Sequence, residues 1–479
     1  MNKQRVSRRA FLRIGAAAGA VTLAGCAAPA AAPQQPTTAP VAPAPTTGVE
    51  ATTAPTEAPA AAPASGEIEY FMYDLGPANK SREEMRDSFQ KTNPEAKVKV
   101  TVLPYEEMWQ KIAARMAAGQ PPDVMFGDFS LVRNALEGQL LDMTPYFNAD
   151  TVLSDASLFT TNLQDPVQAK YGTSKLVALV MGTWVPILYY NKDMFDAAGV
   201  AYPTDDWTWD DARGAAKKLT KDDRSQFGVQ FGTTFDNVGW MWWGQKPADF
   251  WTTPQAFPET SNFNNDTGLN VMRMYYDLTH VDKSAPTPDE ASGYSQYAGP
   301  FGAGKSAMFT GGDWDAGWSF RELPFKWGMA LTPKMRKDYR PALNTMVATN
   351  TIAAATKYPD MAWNFVRFIT ATKEGQTLVG TGAYETPVLK GVAESDAVMK
   401  PDWAPEGYSA RVKAASLPGT MFTPYPLNIN LWEFPGKFLD PTIDSLRKGE
   451  MAPEQAVEFL DKEGKPYFAA QKKDTPAIP

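Results

Sequence analysis

The side chains that most often carry out catalytic chemistry are nearly absent from this chain. It has 479 residues but only one cysteine, Cys26, and one histidine, His280. One cysteine forms no internal disulfide, and one histidine supplies no zinc-binding cluster. Thiol, redox and zinc enzymes are therefore poor interpretations of this sequence, and we expect neither a metal nor a cofactor.

The charge balance argues against nucleic acids and anionic lipid surfaces as partners. The chain has 46 basic and 54 acidic residues. Five basic residues lie within the first 25 positions, which leaves 41 basic against 54 acidic residues and a net charge of −13 beyond them. A surface this acidic repels phosphate groups. The 14 Trp, 18 Tyr and 25 Phe residues instead suggest, in addition to a large core, flat apolar faces for a ligand.

The first 26 residues have the layout of an export signal, with a basic start, a short apolar stretch and small residues before Cys26. Residues 7–13, SRRAFLR, resemble a twin-arginine signal, and residues 23–26, LAGC, resemble a bacterial lipobox. The resemblance implies that Cys26 is diacylated and becomes the mature N-terminus. The chain is then exported and anchored by lipid to the outer face of the bacterial cell membrane.

An Ala/Pro/Thr-rich segment follows the signal. Residues 27–66 contain 15 Ala, 9 Pro and 7 Thr and no aromatic residue. Such a segment buries too little apolar surface to offset the entropy of ordering, so it is predicted to be a disordered linker.

The elements that must position any binding residues alternate between strand and helix. Apolar or alternating runs predict strands at 68–73, 98–103, 124–126, 176–181 and 187–190. Helices are predicted after the first two strands and at 269–279, 361–371 and 453–470. Ser81 with Glu84, and Thr208 with Asp211, have the spacing of helix N-caps, and Gly199 is expected to end a helix. This order favours an α/β fold with a parallel sheet.

Five segments carry a more specific pattern. The clearest is YYNKDMF at 189–195, followed by AG at 198–199 and WTWDD at 207–211. The other four are AGQPPDV at 118–124, GQLLD at 138–142, FGAGKSAM at 301–308 and AWNFVRFI at 362–369. Together they resemble, in order, family 1 of the extracellular solute-binding proteins of bacterial ABC importers, the group that includes maltose-binding protein. The resemblance covers residues 67–470.

The resemblance implies a two-lobed α/β protein of the class II periplasmic-binding-protein type. Its chain crosses between the lobes three times, and a ligand is held in the cleft between them. Lobe one is predicted at 67–180 and 313–369, and lobe two at 181–312 and 370–479. Hinge closure then captures a carbohydrate for the permease subunits of the importer. We expect a monomer without enzymatic activity.

A sugar presents C–H faces that pack on aromatic rings and hydroxyls that hydrogen-bond to planar polar groups. Such side chains are expected at strand ends and in loops facing the cleft. Tyr73 and Asp74 end the first predicted strand, and the resemblance implies further contacts after later strands and near the crossings. In the run GWMWW at 239–243, Trp240 is favoured over its neighbours. The predicted ligand-binding residues are Tyr73, Asp74, Asp128, Trp184, Trp240, Trp243, Asp313, Trp314, Tyr384, Glu385 and Trp432.

Two other functions stay open from the sequence. A secreted carbohydrate hydrolase also combines carboxylates with aromatic rings, although spacing assigns no pair to acid and nucleophile roles. The same fold with a charged ligand, such as a phosphorylated polyol, predicts Arg or Lys in the cleft, and Arg321 and Arg340 are the candidates. His280 is expected to cap a helix or to be solvated.

Overall fold

The computed structural model describes residues 66–127, 131–164, 174–231, 262–294, 299–334, 344–417, 421–422 and 433–474. Every described residue belongs to one compact unit, Pro59–Pro479. Several predicted features lie outside the described residues: Cys26 with the signal, residues 27–65 of the linker, Asp128, Trp240, Trp243, Arg340 and Trp432. In the described part of the chain, no helix is long and apolar enough to span a bilayer.

The strands among these residues are β1 (Gly66–Tyr73), β2 (Ala96–Leu103), β3 (Val124–Gly127), β4 (Ala178–Trp184), β5 (Pro186–Asn191), β6 (Gln230–Phe231), β7 (Met308–Gly312), β8 (Trp327–Leu331), β9 (Asn344–Ile352), β10 (Thr386–Pro387) and β11 (Met421–Phe422).

The α-helices are α1 (Asn79–Thr92), α2 (Tyr105–Ala117), α3 (Val132–Leu136), α4 (Thr144–Ala149), α5 (Lys192–Ala198), α6 (Trp209–Leu219), α7 (Asp266–Tyr276), α8 (Pro288–Ala291), α9 (Gly299–Gly302), α10 (Asp315–Trp318), α11 (Pro359–Ala371), α12 (Lys373–Gly382), α13 (Lys390–Ala393), α14 (Asp396–Met399), α15 (Ala410–Ala415), α16 (Asp440–Lys448) and α17 (Pro453–Asp474). Short 3₁₀ turns lie at Gly76–Ala78 and Ala156–Leu158, and π-helical turns at Asp277–Val281 and Pro435–Leu439.

The first sheet has the strand order β10-β4-β9-β3-β1-β2, with β11 paired to β9. β1 is parallel to both β2 and β3, as the alternation of strands and helices predicts. Tyr70 and Phe71, which point to opposite faces of β1, are both buried, as expected for a strand covered on both sides. β9 is antiparallel to β3 and to β4, so β4 runs in the same direction as β1 and β3.

The second sheet has the order β6-β7-β5-β8. Its central strand β5 is antiparallel to β7 and β8, and all its residues are buried. Leu188 and Tyr190 belong to one hydrophobic cluster, whereas Ile187 and Tyr189 belong to another. Because alternate residues of a strand point to opposite faces, a separate core covers each face of this sheet.

The strand pairings divide the chain at different points from the predicted lobes. The chain leaves the first sheet at Trp184 and enters the second at Pro186. β8 at 327–331 was expected with lobe one but pairs with β5 in the second sheet. β10 at 386–387 was expected with lobe two but pairs with β4 in the first sheet. Motif positions do not report which strands pair, and the lobe boundaries stay a prediction.

Two of the three predicted signals for helix ends are confirmed. Thr208 caps α6 through a reciprocal pair of bonds with Asp211, and Gly199 ends α5 with a φ of 62°, which glycine adopts without strain. The expected cap at Ser81 is wrong, because α1 begins at Asn79 and the Ser81 hydroxyl donates to the carbonyl of Ala78 at 2.8 Å.

His280 lies in the π-helical turn after α7. Its Nε2 donates to the carbonyl oxygen of Leu446 at 3.0 Å. Leu446 is in the last turn of α16, where carbonyls lack partners within the helix. The histidine therefore caps a helix, although not its own.

Candidate functional site

Four predicted ring residues from distant parts of the chain meet at one place. Trp184 contacts Trp314 with ring centroids 6.4 Å apart at 83°, and it contacts Tyr384 at 6.1 Å and 88°. Tyr384 also contacts Tyr73 at 6.4 Å. All these contacts are edge to face, a favoured arrangement of aromatic pairs. Phe126 and Trp318 extend the group through Trp184 and Tyr384 respectively. We call these six side chains the ring cluster: Tyr73, Phe126, Trp184, Trp314, Trp318 and Tyr384.

The direction of the strands explains why the rings meet. Tyr73 ends β1, Phe126 lies near the end of β3 and Trp184 ends β4. Because these three strands run in the same direction, their carboxyl ends lie at one edge of the first sheet. In α/β sheets this edge is where ligands bind.

The other rings come from the second sheet and from the segment before β10. Trp314 and Trp318 follow β7 and are one helical turn apart, so they lie on the same face of their short helix. Gly76 makes room for Trp318, because a Cβ on Gly76 would lie 2.6 Å from the indole Cδ1. The ring cluster thus joins residues of both sheets.

The rings are largely shielded from solvent, and one has an unused hydrogen-bond donor. Trp184 is 4% exposed, Tyr73 5% and Tyr384 9%, whereas Trp314 and Trp318 are partly buried. Burial raises the pKa of the Tyr384 hydroxyl well above its usual value, so this group stays protonated. The indole Nε1 of Trp184 is buried and has no hydrogen-bond partner among the described residues. A buried N–H without a partner is costly, and a ligand oxygen would satisfy it.

Asp74 lies at the same edge of the sheet but is exposed. Its Oδ1 accepts the backbone N–H of Gly76 at 2.8 Å and the side-chain amide of Asn79 at 2.6 Å. The carboxylate therefore orders the turn between β1 and α1.

Of the other three predicted carboxylates, Asp128 lies outside the described residues, and Glu385 and Asp313 have internal partners. Glu385 is fully buried and ion-paired with Arg82, which is also fully buried. Asp313 is fully buried and accepts the backbone N–H of Val185 at 3.0 Å. Glu385 Oε2 has no hydrogen-bond partner among the described residues. Contact of these two carboxylates with a ligand stays a prediction.

A second set of bonds surrounds Asp313. The Thr386 hydroxyl donates to Asp313 Oδ2 at 2.7 Å, and Arg411 Nη2 lies 3.4 Å from the same oxygen. Burial raises the pKa of the Asp313 carboxyl to about 6, although the charge of Arg411 and the bond from Thr386 oppose this shift.

Four residues of this region were missed from the sequence: Phe126, Trp318, Arg82 and Arg411. Trp318 had a usable signal, because it follows Trp314 at the spacing of one helical turn. The two arginines had no such signal, since their acidic partners are distant in sequence.

In the described residues, no cluster of three or more His, Cys, Asp or Glu side chains could hold a metal ion. Chemically, the site offers aromatic faces and an indole donor, which suit the C–H faces and oxygens of a polyhydroxylated ligand.

Comparison with known proteins gives consistent matches. A family model described as bacterial extracellular solute-binding protein matches residues 64–376. The galactooligosaccharide-binding protein of Bacillus subtilis (strain 168) is 22% identical over 326 residues, which are 65% of this chain and 70% of that protein.

Two solved structures share the fold of this chain. An ABC substrate-binding protein from Listeria monocytogenes, in complex with cycloalternan, has a TM-score of 0.72 at 22% identity. The match covers 85% of this chain and 99% of the Listeria chain. The cyclic α-maltosyl-1,6-maltose binding protein from Arthrobacter globiformis has a TM-score of 0.65 at 19% identity, with coverages of 85% and 100%.

Proposed function

Because this chain belongs to the bacterial extracellular solute-binding protein family, we propose that it captures a carbohydrate outside the cell and delivers it to the permease of an ABC importer. The relatives named above bind galactooligosaccharide, cycloalternan and a cyclic maltosyl maltose, according to their names. An oligosaccharide is therefore the ligand class we favour. Closure of two lobes around the sugar is the proposed capture step.

The ring cluster carries this proposal. Its rings lie at the carboxyl edge of the first sheet and are contributed by both sheets. The buried N–H of Trp184 provides a donor at the same place. A neutral sugar has C–H faces that pack on aromatic rings and oxygens that accept a hydrogen bond from the indole.

The charges near the rings favour an uncharged ligand over a phosphorylated polyol. Arg82 lies over the ring of Phe126, with its guanidinium carbon 5.1 Å from the ring centroid, and both Arg82 and Arg411 are paired with a buried carboxylate. Arg321 stacks on Trp403, with 4.2 Å from its guanidinium carbon to the ring centroid. A phosphate bound at the rings would require a cation beside them that no carboxylate neutralises, and Arg321 stacks on a ring outside the cluster.

Binding of the sugar can be measured directly with purified protein that lacks the signal. Isothermal titration and tryptophan fluorescence are run against glucose, galactose, maltotriose, galactotriose and cycloalternan, with sorbitol and sorbitol 6-phosphate as a matched neutral and charged pair. We expect micromolar binding of at least one sugar, with a change in emission. If only sorbitol 6-phosphate binds, the ligand is a charged solute rather than a neutral sugar. Binding of none of these compounds would contradict the proposed function.

We further propose that the ligand is released unaltered, as the relatives are binding proteins. Each sugar that binds is incubated with the protein and assayed for new reducing ends. No release above the buffer control is expected. Release at enzymatic rates would instead establish the hydrolase alternative.

The location and assembly state are proposals of their own. We propose that the chain is exported through the twin-arginine signal and held at the membrane by diacylated Cys26, with residues 27–66 as its linker. In a bacterial host, Cys26→Ser should move the protein from the membrane fraction to the soluble exported fraction. Retention of this variant in the membrane fraction would contradict the proposed lipid anchor.

The assembly state is proposed to be a monomer. Light scattering of the soluble form should give a monomer's mass, and a dimer's mass would overturn that expectation.

A further inference from the structure

One carboxylate lies where three backbone segments meet. Asp313 directly follows β7 in the second sheet. Its Oδ1 accepts the N–H of Val185, the single residue between β4 and β5, at 3.0 Å, and its own N–H donates to the Val185 carbonyl at 2.9 Å. Its Oδ2 accepts the hydroxyl of Thr386, in β10 of the first sheet, at 2.7 Å. The carboxylate therefore ties together both sheets and the strand crossing between them.

Each of these three segments carries one ring of the ring cluster. Trp184 directly precedes Val185, Trp314 directly follows Asp313, and Tyr384 lies two residues before Thr386. The rings of the three segments contact each other through Trp184. Consequently, the carboxylate of Asp313 is bonded to the other two segments that carry these rings.

The charge of Asp313 is balanced inside the protein. Arg411, on α15, places Nη2 3.4 Å from Asp313 Oδ2 and donates from Nε to the Thr386 hydroxyl at 3.0 Å. It also donates to the hydroxyl of Tyr408. On the other side, the Tyr189 hydroxyl donates to the carbonyl of Gly312 at 2.6 Å, next to Asp313. Asp313, Thr386 and Arg411 are fully buried.

We propose that Asp313 is a positioning residue of the ring cluster, which fastens the segments of Trp184, Trp314 and Tyr384 so that the three rings are arranged for the ligand. This inference rests on the proposed sugar-binding function. It assigns Asp313 a role different from direct ligand contact.

The chemistry of the group supports this role. A buried ion pair is weak evidence for stability, because desolvation of both charges offsets their attraction, and its best-attested use is to specify one geometry. The two oxygens of a carboxylate can accept donors from two segments at once. An apolar side chain could fill the same space but could not fix the segments relative to each other.

Four variants separate positioning from general stability. Asp313→Ala removes both acceptors. Asp313→Asn retains one oxygen for the N–H of Val185 but loses the charge that faces Arg411. Thr386→Val removes the hydroxyl that donates to Asp313 and accepts from Arg411, at nearly constant shape, and remains informative if Asp313→Ala does not fold. Asp282→Asn is the matched control, because the Asp282 side chain is 2% exposed and pairs with Arg213 and Lys217, away from the rings.

The readouts are far-UV circular dichroism for the fold, near-UV circular dichroism for the ring geometry, and the Kd of the panel sugar that binds wild type most tightly. We expect Asp313→Ala to change the near-UV spectrum and to raise Kd at least tenfold, Asp313→Asn to recover part of this loss, and Thr386→Val to raise Kd severalfold. Asp282→Asn should leave all three readouts unchanged.

The results that would overturn the positioning role differ from those that would overturn the proposed function. If wild type binds a sugar while the folded Asp313 and Thr386 variants have its Kd, the positioning role is overturned and the proposed function stands. A changed near-UV spectrum with an unchanged Kd also overturns it, and so does an equal loss of affinity in Asp282→Asn. If wild type binds no sugar of the panel, the proposed function fails and this inference falls with it.

Discussion

The indole rings of Trp184 and Trp314 meet edge to face, with centroids 6.4 Å apart and planes at 83°. Trp184 ends β4 of the first sheet, and Trp314 follows β7 of the second. Their contact therefore joins the two sheets through side chains that we propose to bind the ligand. Either position is informative for substitution.

Trp314→Ala is expected to raise the Kd for the sugar at least about tenfold, or about 1.4 kcal/mol, because it removes an aromatic face. The protein should remain folded, since Trp314 is only partly buried. Titration calorimetry and far-UV circular dichroism measure the two effects. Trp207→Ala is the control, because Trp207 is also partly buried but packs in the cluster with Phe195. Normal binding by Trp314→Ala would place the site elsewhere.

Gly312→Ala tests the position of the same ring from the backbone side. A Cβ at Gly312 would lie 2.1–2.2 Å from atoms of the Trp314 indole, so the indole must move. We expect a shift of tryptophan emission and a weaker sugar affinity. Gly214 in α6 has no atom within 4 Å of its Cβ position, so Gly214→Ala should bind normally and gain about 0.5–1 kcal/mol in stability. Unchanged emission and affinity in Gly312→Ala would contradict the placement of Trp314.

The buried carboxyl of Asp313 predicts a pH dependence of stability. Its pKa is raised by burial to about 6, with Arg411, Glu385, Tyr408 and Tyr189 as its charged or titratable neighbours. Below pH 6 the folded state takes up a proton that the unfolded state does not hold until about pH 4. The unfolding free energy of wild type relative to Asp313→Asn should therefore rise as pH falls from 7 to 4.5, by about 2 kcal/mol.

Urea unfolding of both proteins at the two pH values provides this measurement. Because the other titratable groups are common to both proteins, the difference isolates Asp313. A difference that falls, or stays flat, on acidification would show that the carboxyl is not protonated in this range.

Removing only one partner of the ion pair between Arg82 and Glu385 should lower the unfolding free energy strongly. Both side chains are fully buried, so Arg82→Met leaves an uncompensated charge, at a cost of about 3–5 kcal/mol in the unfolding free energy. Adding Glu385→Leu should recover part of this loss, since the charge is then gone. Lys111→Met breaks an exposed pair with Glu107 and should cost at most about 0.5 kcal/mol. Urea titrations compare the three variants, and a double variant no more stable than the single would refute the argument.

The structure brings four of the predicted ring residues together and gives two of the predicted carboxylates internal partners. Tyr73, Trp184, Trp314 and Tyr384 were selected from strand ends and from the family resemblance, and they lie in one cluster. Their contact with a ligand stays a prediction. Asp313 and Glu385 were selected by the same criteria but are bonded inside the protein. The direction of a side chain depends on partners such as Arg82 and Arg411, which no local pattern reveals.

By itself, the sequence determined what local physics controls. The period of apolar residues predicted most strands and helices, and Thr208 and Gly199 marked helix ends because caps involve only neighbouring residues. Only the tertiary structure decided that β8 joins the second sheet and β10 the first, because strand pairing brings together residues that are far apart in the chain. For the same reason it alone decided that Asp313 turns inward, where hydrogen bonds from Val185 and Thr386 and the charge of Arg411 compensate the buried carboxylate.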